Sequence, residues 1–205
     1  MIEAPTGPAP RRATISRHTR ETAIDCTLVL DGSGEAEVDT GLPFFDHMIS
    51  QLGRHGGFDL SLVAKGDLEV DAHHTVEDVG IVLGEALAQA LGDKAGVRRF
   101  ASVSLPLDES LVTVALDLSG RAYLHYDVAF HADAVPLGSP GFEPQLAEEV
   151  WRGFTTAAGI TLHLDLVRGR NTHHILEASF KAVARALRDA VRVEGTQVPS
   201  TKGVL

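Results

Sequence analysis

His73-His74-Thr75-Val76-Glu77 recurs 100 positions later as His173-His174-Ile175-Leu176-Glu177. A residue that can cap a helix precedes each copy at the same distance, Asp71 in the first and Asn171 in the second. The apolar positions that follow keep helical spacing and the same offset: Val76 with Leu176, Leu83 with Val183, and Leu87 with Leu187. The two segments therefore predict two equivalent helices, each beginning with a pair of histidines, and an internal duplication of the chain.

The duplication extends upstream of the histidine pairs, where the offset becomes 102 and matches Gly57 with Gly159 and Leu60 with Leu162. Each half shows the same order of predicted elements, β-β-α-β-α. Those of the first half are strands 13–19 and 22–30, a helix 43–56, a strand 58–62 and a helix after Asp71. Those of the second half are strands 102–105 and 111–118, a helix 146–158, a strand 160–164 and a helix after Asn171.

The predicted fold is α+β, an internal duplication of two β-β-α-β-α halves whose sheets are covered by helices on one face. Residues 1–11 are predicted to be a flexible tail, and 12–205 a single domain without a linker between its halves. Half one covers about 12–95, half two about 96–193, and a C-terminal tail 194–205. Residues 135–144, with three prolines and two glycines, are predicted to be an insertion loop in the second half.

Composition excludes several classes of function. Eighteen Lys and Arg against 28 Asp and Glu give a formal net charge of −10, which argues against general binding to nucleic acid or an anionic membrane. Cys26 is the only cysteine, which excludes an intrachain disulfide and fits a reducing compartment. No apolar run reaches the roughly 18 residues that a membrane-spanning helix needs. We therefore expect a cytoplasmic protein without nucleic-acid or membrane partners.

The paired histidines have the spacing of metal ligands. His73 and Glu77 lie four residues apart and share one helix face, as do His173 and Glu177, and His74 with Glu77, three residues apart, is a second candidate pair. Adjacent histidines point about 100° apart on a helix, so each pair is expected to supply two different ions. Imidazole and carboxylate ligands without thiolate favour Mn, Fe or Zn. A single motif of this kind is commonly an ordinary polar surface, whereas two copies in register predict metal binding.

The duplication also nominates ligands outside the pairs. His47, at the start of the first predicted helix, falls on Glu149 at the offset of 102. Glu149 by itself is interpreted equally well as an exposed acid. His163 lies on the polar face of a predicted strand and is a candidate to orient a metal-bound histidine. The isolated histidines are interpreted as surface or loop residues: His18, His55, His125 and His131.

Cationic side chains form a second group of candidates, which includes Arg98, Arg99, Arg121, Lys181 and Lys202. In an acidic protein such a group can serve a phosphorylated small molecule, with Arg giving bidentate contacts and Lys a point charge. Each cation taken singly is better explained as a surface residue. No glycine-rich phosphate loop occurs, so a nucleotide cofactor is not indicated.

Six motifs follow one another along the chain: Thr19-Arg20-Glu21-Thr22, Phe44-Phe45-Asp46-His47-Met48, Asp71 to Asp78, Asn171 to His174 with Glu177, Phe180-Lys181-Ala182, and Pro199-Ser200-Thr201-Lys202-Gly203. Together they closely resemble the imidazoleglycerol-phosphate dehydratase family of histidine biosynthesis, over residues 12 to 205. The resemblance implies a fold of the ribosomal S5 domain 2-like type. It also implies a hydro-lyase that converts imidazole-glycerol phosphate to imidazole-acetol phosphate by way of a metal-bound imidazolate. Two Mn²⁺ per active site are implied, and a homo-oligomer in which trimers form a 24-subunit shell with sites between subunits.

The same resemblance assigns roles to residues. The metal ligands it implies are His47, His73, His74, Glu77, His173, His174 and Glu177. The catalytic carboxylates are Glu21, Glu77 and Glu177. Gln51 is assigned to the substrate, and the phosphate to Arg99, Arg121, Lys181, Ser200 and Lys202, which makes 194–205 a phosphate-binding tail. The chain departs from the family at Glu149, where relatives carry His, and because carboxylate suits Mn²⁺ we keep Glu149 as a predicted ligand.

Two other functions fit the same residues. A binuclear metallohydrolase would use the His and Glu ligands to activate water and would release inorganic phosphate. A metal-storing shell would catalyse nothing and would not need the cations. Within the dehydratase hypothesis, Glu21 is the candidate for proton transfer, and a metal-bound water is the alternative.

Overall fold

The computed structural model describes residues 9–205, which contain eight strands and four helices. The strands are β1 Arg12–His18, β2 Thr22–Val29, β3 Ala36–Asp39, β4 Asp59–Gly66, β5 Phe100–Leu107, β6 Ser110–Asp117, β7 Tyr123–Asp127 and β8 Thr161–Arg168. The helices are α1 Pro43–Gly56, α2 His73–Leu91, α3 Leu146–Ala158 and α4 Thr172–Ala190. Both helices that begin with paired histidines are present, as the repeated motif predicts.

Each half builds one four-stranded sheet, in the order β1-β2-β4-β3 for the first and β5-β6-β8-β7 for the second. Three strands of each sheet pair antiparallel, and β3 and β7 pair in parallel at one edge. Burial alternates along β2, where Ile24, Cys26 and Leu28 are buried and the residues between them are more exposed. This period of two leaves each sheet with one buried and one open face. The duplicated α+β fold predicted from the sequence is confirmed.

The structure adds one strand to each half, which makes the order β-β-β-α-β-α. The additional strands are β3 and β7, with four and five residues. Both are short edge strands whose hydrogen bonds go to β4 and β8, far along the chain. Periodicity reports burial but not pairing, so the sequence did not reveal them.

The four helices lie between the two sheets and join the halves. α2 packs on β1 and β2, and α4 packs on β5 and β6. The helices pair across the duplication, since α1 contacts α4 and α2 contacts α3. The contact between α2 and α3 requires glycine, because a Cβ on Gly80 would lie 2.4 Å from the Val150 carbonyl oxygen. One core therefore forms from both halves, and residues of different halves meet where the helices begin.

The helix starts differ slightly from prediction. Asn171 caps α4 as predicted, because its side chain accepts a hydrogen bond from the His174 N–H at 3.2 Å. In α2 the N-cap is Ala72, so the prediction that Asp71 occupies this position was one residue off. Asp71 still accepts the His73 N–H at 2.8 Å. Both histidine pairs thus stand in the first turn of their helices.

Two segments predicted to be loops are tied to the core. Residues 1–8 of the predicted tail lie outside the described part of the chain, while Arg11 pairs with Asp31 at 2.7 Å and donates to the Val191 carbonyl at 2.7 Å. In the insertion loop 135–144, Phe142 is fully buried and stacks on Phe45 with ring centroids 5.3 Å apart. The loop therefore supports the start of α1. Within residues 9–205, no helix is both long and apolar enough to cross a membrane.

Candidate functional site

α1 and α4, which belong to different halves, bring three predicted metal ligands together. His47 lies in the second turn of α1, and His173 and Glu177 lie in the first two turns of α4. These three residues form the His47 group: each offers one ligand atom, and the three atoms all lie within 4.8 Å of one another. His173 Nε2 is 3.0 Å and His47 Nε2 3.7 Å from the nearer oxygen of Glu177. Two imidazoles and one carboxylate at these separations fit a single divalent cation.

Neighbouring side chains fix this group and keep Glu177 ionised. Burial by itself would raise the pKa of Glu177, but the ammonium of Lys181, at 2.6 Å, and the hydrogen bond with His173 outweigh it and lower the pKa. Gln51 donates to the His47 carbonyl at 2.9 Å, and its amide nitrogen is 3.3 Å from His47 Nδ1. The edge of Phe44 packs on His173 at 5.2 Å between ring centroids. Lys181, Gln51 and Phe44 thus help to position the three ligand side chains.

His74 and His174, the second histidines of the pairs, turn to other partners. His74 Nδ1 lies 3.1 Å from Asp67, and His174 Nδ1 lies 2.8 Å from Glu109. These hydrogen bonds raise the pKa of both imidazoles, and the bond with His174 is the largest of the effects that lower the pKa of Glu109. A carboxylate that accepts Nδ1–H leaves Nε2 as the ring nitrogen able to bind a metal. Sequence reasoning missed both Asp67 and Glu109.

Glu21 lies at the same point of the first half as Glu109 in the second. Glu21 ends the β1–β2 turn, and Glu109 ends the β5–β6 turn. Glu109 is engaged by His174 and by the main-chain N–H groups of residues 170 and 171. The Glu21 side chain is 54% exposed, and its carboxylate lies 3.8 Å from His74 Nδ1. The first half therefore leaves an available carboxylate where the second half has a structural one.

The duplication makes His73, Glu77 and Glu149, on α2 and α3, the counterparts of the His47 group, but within residues 9–205 these three do not bring their ligand atoms within 4.8 Å of one another. α3 lies against α2, with Gly153 of α3 next to the Glu77 carbonyl, so Glu149 is on the helix that faces His73 and Glu77, as the duplication predicts. The Glu149 carboxylate is 3.5 Å from Arg152 Nε on its own helix. His73 lines a cavity of about 260 Å³ together with Asp71 and residues of the insertion loop. Metal binding by Glu149 remains a prediction.

The predicted phosphate residues fall into two places. Arg99, Arg121, Ser200 and Lys202 line one open cavity of about 610 Å³. Arg99 binds Asp117 at 2.6 Å and the Pro199 carbonyl at 2.7 Å, so it holds the C-terminal tail against the second sheet. Lys181 is not among the residues lining this cavity and pairs with Glu177. Within one chain, the structure thus separates a cationic cavity from the His47 group.

A comparison with protein families decides between the hypotheses. The sequence profile described as imidazoleglycerol-phosphate dehydratase matches residues 40–187, which include all three residues of the His47 group. The chain belongs to the imidazoleglycerol-phosphate dehydratase family. The resemblance stated from the sequence motifs is thereby confirmed.

Relatives and solved structures agree with this membership. The imidazoleglycerol-phosphate dehydratase of Acidothermus cellulolyticus is 54% identical over 197 residues, covering 96% of this chain and 94% of that protein. That of Symbiobacterium thermophilum is 55% identical over 201 residues, covering 96% and 94%. The crystal structure of the Pyrococcus furiosus enzyme in complex with (S)-C348 superposes with a TM-score of 0.80 at 37% identity, covering 93% of this chain and all 100% of that one. The Staphylococcus aureus enzyme gives a TM-score of 0.78 at 34% identity, covering 89% and 99%.

His163 lies on the polar face of its strand, as the sequence predicts, but its ring does not contact the second histidine pair. Its ring is 5.5 Å from Tyr123 and 5.4 Å from His125, between centroids, rather than beside the second histidine pair. The alternation of β8 accounts for this, because Leu162 and Leu164 face the helices and are fully buried. His163 therefore belongs to the outer face of the sheet, the face that the alternation of its strand predicts.

Proposed function

We propose that this chain eliminates water from imidazole-glycerol phosphate to give imidazole-acetol phosphate, the dehydratase step of histidine biosynthesis. The observation that carries the proposal is the His47 group, formed by α1 and α4 in a member of the imidazoleglycerol-phosphate dehydratase family. Relatives more than 50% identical over nearly the whole chain carry the name of this activity. The reaction removes a hydroxyl and a proton from neighbouring carbons, so the site must bind the imidazole, hold the phosphate and move a proton.

The donor set fits Mn²⁺, the cation we propose, with two ions per site. In the His47 group, two imidazoles and one carboxylate with ligand atoms within 4.8 Å of one another match its preference for hard and borderline ligands. In this proposal His47, His173 and Glu177 hold one ion, and His73, Glu77 and Glu149 hold the other. When bound, these ions supply Lewis-acid chemistry that polarises the imidazole ring of the substrate.

Side chains of the protein position the substrate and move the proton. The Glu21 side chain is 54% exposed and its carboxylate lies 3.8 Å from His74 Nδ1, so the carboxylate is accessible for transfer of the proton of the glycerol arm. Arg121, Ser200 and Lys202 line an open cavity and hold the phosphate there. The phosphate contacts supply binding energy that orients the reacting carbons.

We further propose that each site is shared between subunits of a homo-oligomer built from trimers, with the 24-subunit shell implied by the family resemblance, in the cytoplasm. Asp67 and Glu109 hold His74 and His174 outside the His47 group. The side chains of these two histidines are about one third exposed. Their Nε2 atoms are thus available to ions held by neighbouring chains. A cation that bridges subunits stabilises the assembly by mass action. Light scattering should therefore show a smaller particle when the metal is removed.

The decisive experiment follows ketone formation and inorganic phosphate in the same reaction. Metal-depleted protein should be inactive with imidazole-glycerol phosphate, and Mn²⁺ should restore ketone formation without phosphate release. His47→Ala should lower kcat/KM by more than about 100-fold, because it removes a proposed metal ligand itself rather than a residue that hydrogen-bonds to a ligand. His131→Ala is the matched control, since His131 is exposed and outside the site.

Each alternative gives a different result in this assay. Release of inorganic phosphate would support the metallohydrolase, and metal uptake without any reaction would support the storage shell. Full turnover by protein shown to be metal-free by elemental analysis would contradict the metal-dependent dehydratase.

A further inference from the structure

The outer face of the second sheet carries a compact group of imidazoles and carboxylates on β7 and β8. His125 and Asp127 of β7 lie in register with His163 and Asp165 of β8. All four side chains share one face because strand residues two apart point the same way. That face is turned away from the helices, since Leu162 and Leu164 fill the buried face. The group is therefore separate from the His47 site.

Three of these residues present ligand atoms to a common point. His125, Asp127 and Asp165 each offer one atom, and the three atoms lie within 4.8 Å of one another. His125 Nε2 is 3.2 Å from an oxygen of Asp165. The ring of His163 packs beside that of His125 at a tilt of 35°. Ala115, the register partner of His163 on β6, is small and leaves the face open.

The fold itself does not require these side chains. The duplication provides a comparison, because β3 and β4 of the first half pair in the same parallel arrangement. There the positions of His125 and Asp127 are occupied by Glu37 and Asp39, and those of His163 and Asp165 by Ser61 and Val63. A sheet edge of this shape is thus built without any imidazole. The two histidines in the second half call for another explanation.

Charge also favours a cation at this group. Two carboxylates lie at the edge of the sheet, and His125 is the one basic partner that Asp165 has among residues 9–205. No lysine or arginine within residues 9–205 forms an ion pair with Asp127 or Asp165. Neutral imidazole and carboxylate oxygens together are the ligands of divalent zinc, manganese and iron.

We propose that His125, Asp127 and Asp165 form a binding site for a divalent transition-metal cation, distinct from the site of the dehydratase reaction. The two Asp residues supply charge, and His125 supplies the nitrogen ligand. His163 is a positioning residue that holds the His125 ring. Solvent completes the coordination, since the side chains of His125 and Asp165 are 44% and 45% exposed. The site lies on the edge strand β7 and is open to ions from solution.

The test counts ions bound to the whole protein. Chelator-treated protein is equilibrated with Zn²⁺, and zinc per subunit is measured by elemental analysis for the wild type, His125→Gln, and the double variant Asp127→Asn/Asp165→Asn. Both variants should bind one ion fewer per subunit than the wild type. Glu37→Gln, at the corresponding position of the first half, should bind the same number as the wild type.

Activity separates this proposal from the dehydratase assignment. His125→Gln should keep the wild-type kcat and KM when assayed with Mn²⁺, because the His47 group is unchanged. His47→Ala should still bind the β7–β8 ion, and this ion should be lost when His125→Gln is added. Equal zinc content in the wild type and in both β7–β8 variants would overturn the proposal, whatever the assay shows.

Discussion

Replacing Glu109 by Gln should test whether a carboxylate chooses the metal-binding nitrogen of His174. Glu109 accepts with both oxygens: one takes the main-chain N–H groups of Arg170 and Asn171 at 3.1 and 2.8 Å, and the other takes His174 Nδ1 at 2.8 Å. Gln has one oxygen and one NH₂. If the oxygen stays with the two main-chain donors, the NH₂ faces Nδ1 and donates to it. The proton of His174 must then move to Nε2, which can no longer bind a cation.

The size of the effect follows from these bonds. The main-chain contacts survive in Glu109→Gln, so the loss of stability should stay within about 1 kcal/mol. Losing the partner that orients a metal-bound histidine weakens metal binding by about 10- to 100-fold. This change corresponds to about 1.4–2.8 kcal/mol. The substitution should thus separate metal affinity from folding.

The assay is a titration of metal-depleted protein with Mn²⁺, followed by bound metal and by ketone formation. Glu109→Gln should require about 10- to 100-fold more Mn²⁺ for half-maximal activity, with nearly unchanged kcat at saturation. Asp189→Asn, at the distant end of the same helix α4, should titrate like the wild type. If Glu109→Gln bound Mn²⁺ as tightly as the wild type, the role given to the Nδ1 hydrogen bond would be refuted.

Three further outcomes are expected. Gly80→Ala should destabilise the protein by about 1–3 kcal/mol, seen as a Tm several degrees lower, because its Cβ would meet the Val150 carbonyl at 2.4 Å, whereas Gly195→Ala, with nothing within 4 Å, should be neutral. Asp31→Asn should lower the Tm at pH 7 by the equivalent of about 0.5 kcal/mol, because it weakens the ion pair with Arg11. Arg11 lowers the pKa of Asp31 in the folded protein, so the ion pair stabilises the protein above the unfolded pKa of about 4, and this stabilisation is lost as the pH falls through the folded pKa. Below the folded pKa the variant and the wild type should have the same Tm. Lys202→Ala should weaken substrate binding by about 1–3 kcal/mol, measured as a higher KM, with little change in bound metal. An unchanged KM would show that Lys202 does not bind the phosphate.

Local patterns predicted most of the elements and the residue types of the site. Helix α3 begins and ends where its apolar spacing predicts, and α1 runs from Pro43 to Gly56, as predicted, with Gly57 as its C-cap. The repeated pairs at 73–74 and 173–174 predicted both ligand-bearing helices, because a helix face and its cap are set by residues within a few positions of each other. The parallel edge strands β3 and β7 were not predicted, because they pair with β4 and β8, which are distant in sequence.

The sequence by itself determined that this protein is a duplicated α+β chain whose two histidine-bearing helices begin with imidazole and carboxylate side chains at the spacing of metal ligands. Periodicity, caps and helix faces are set by residues close together in the chain. Only the tertiary structure decided which of these ligands meet. His47 joins His173 and Glu177 because α1 crosses to α4 of the other half. His74 and His174 bind Asp67 and Glu109 because the β4–α2 connection places Asp67, and the β5–β6 turn places Glu109, beside the first turns of α2 and α4. Contacts between the two halves depend on how the four helices pack between the two sheets. The spacing of residues along the chain does not encode the distances between those helices.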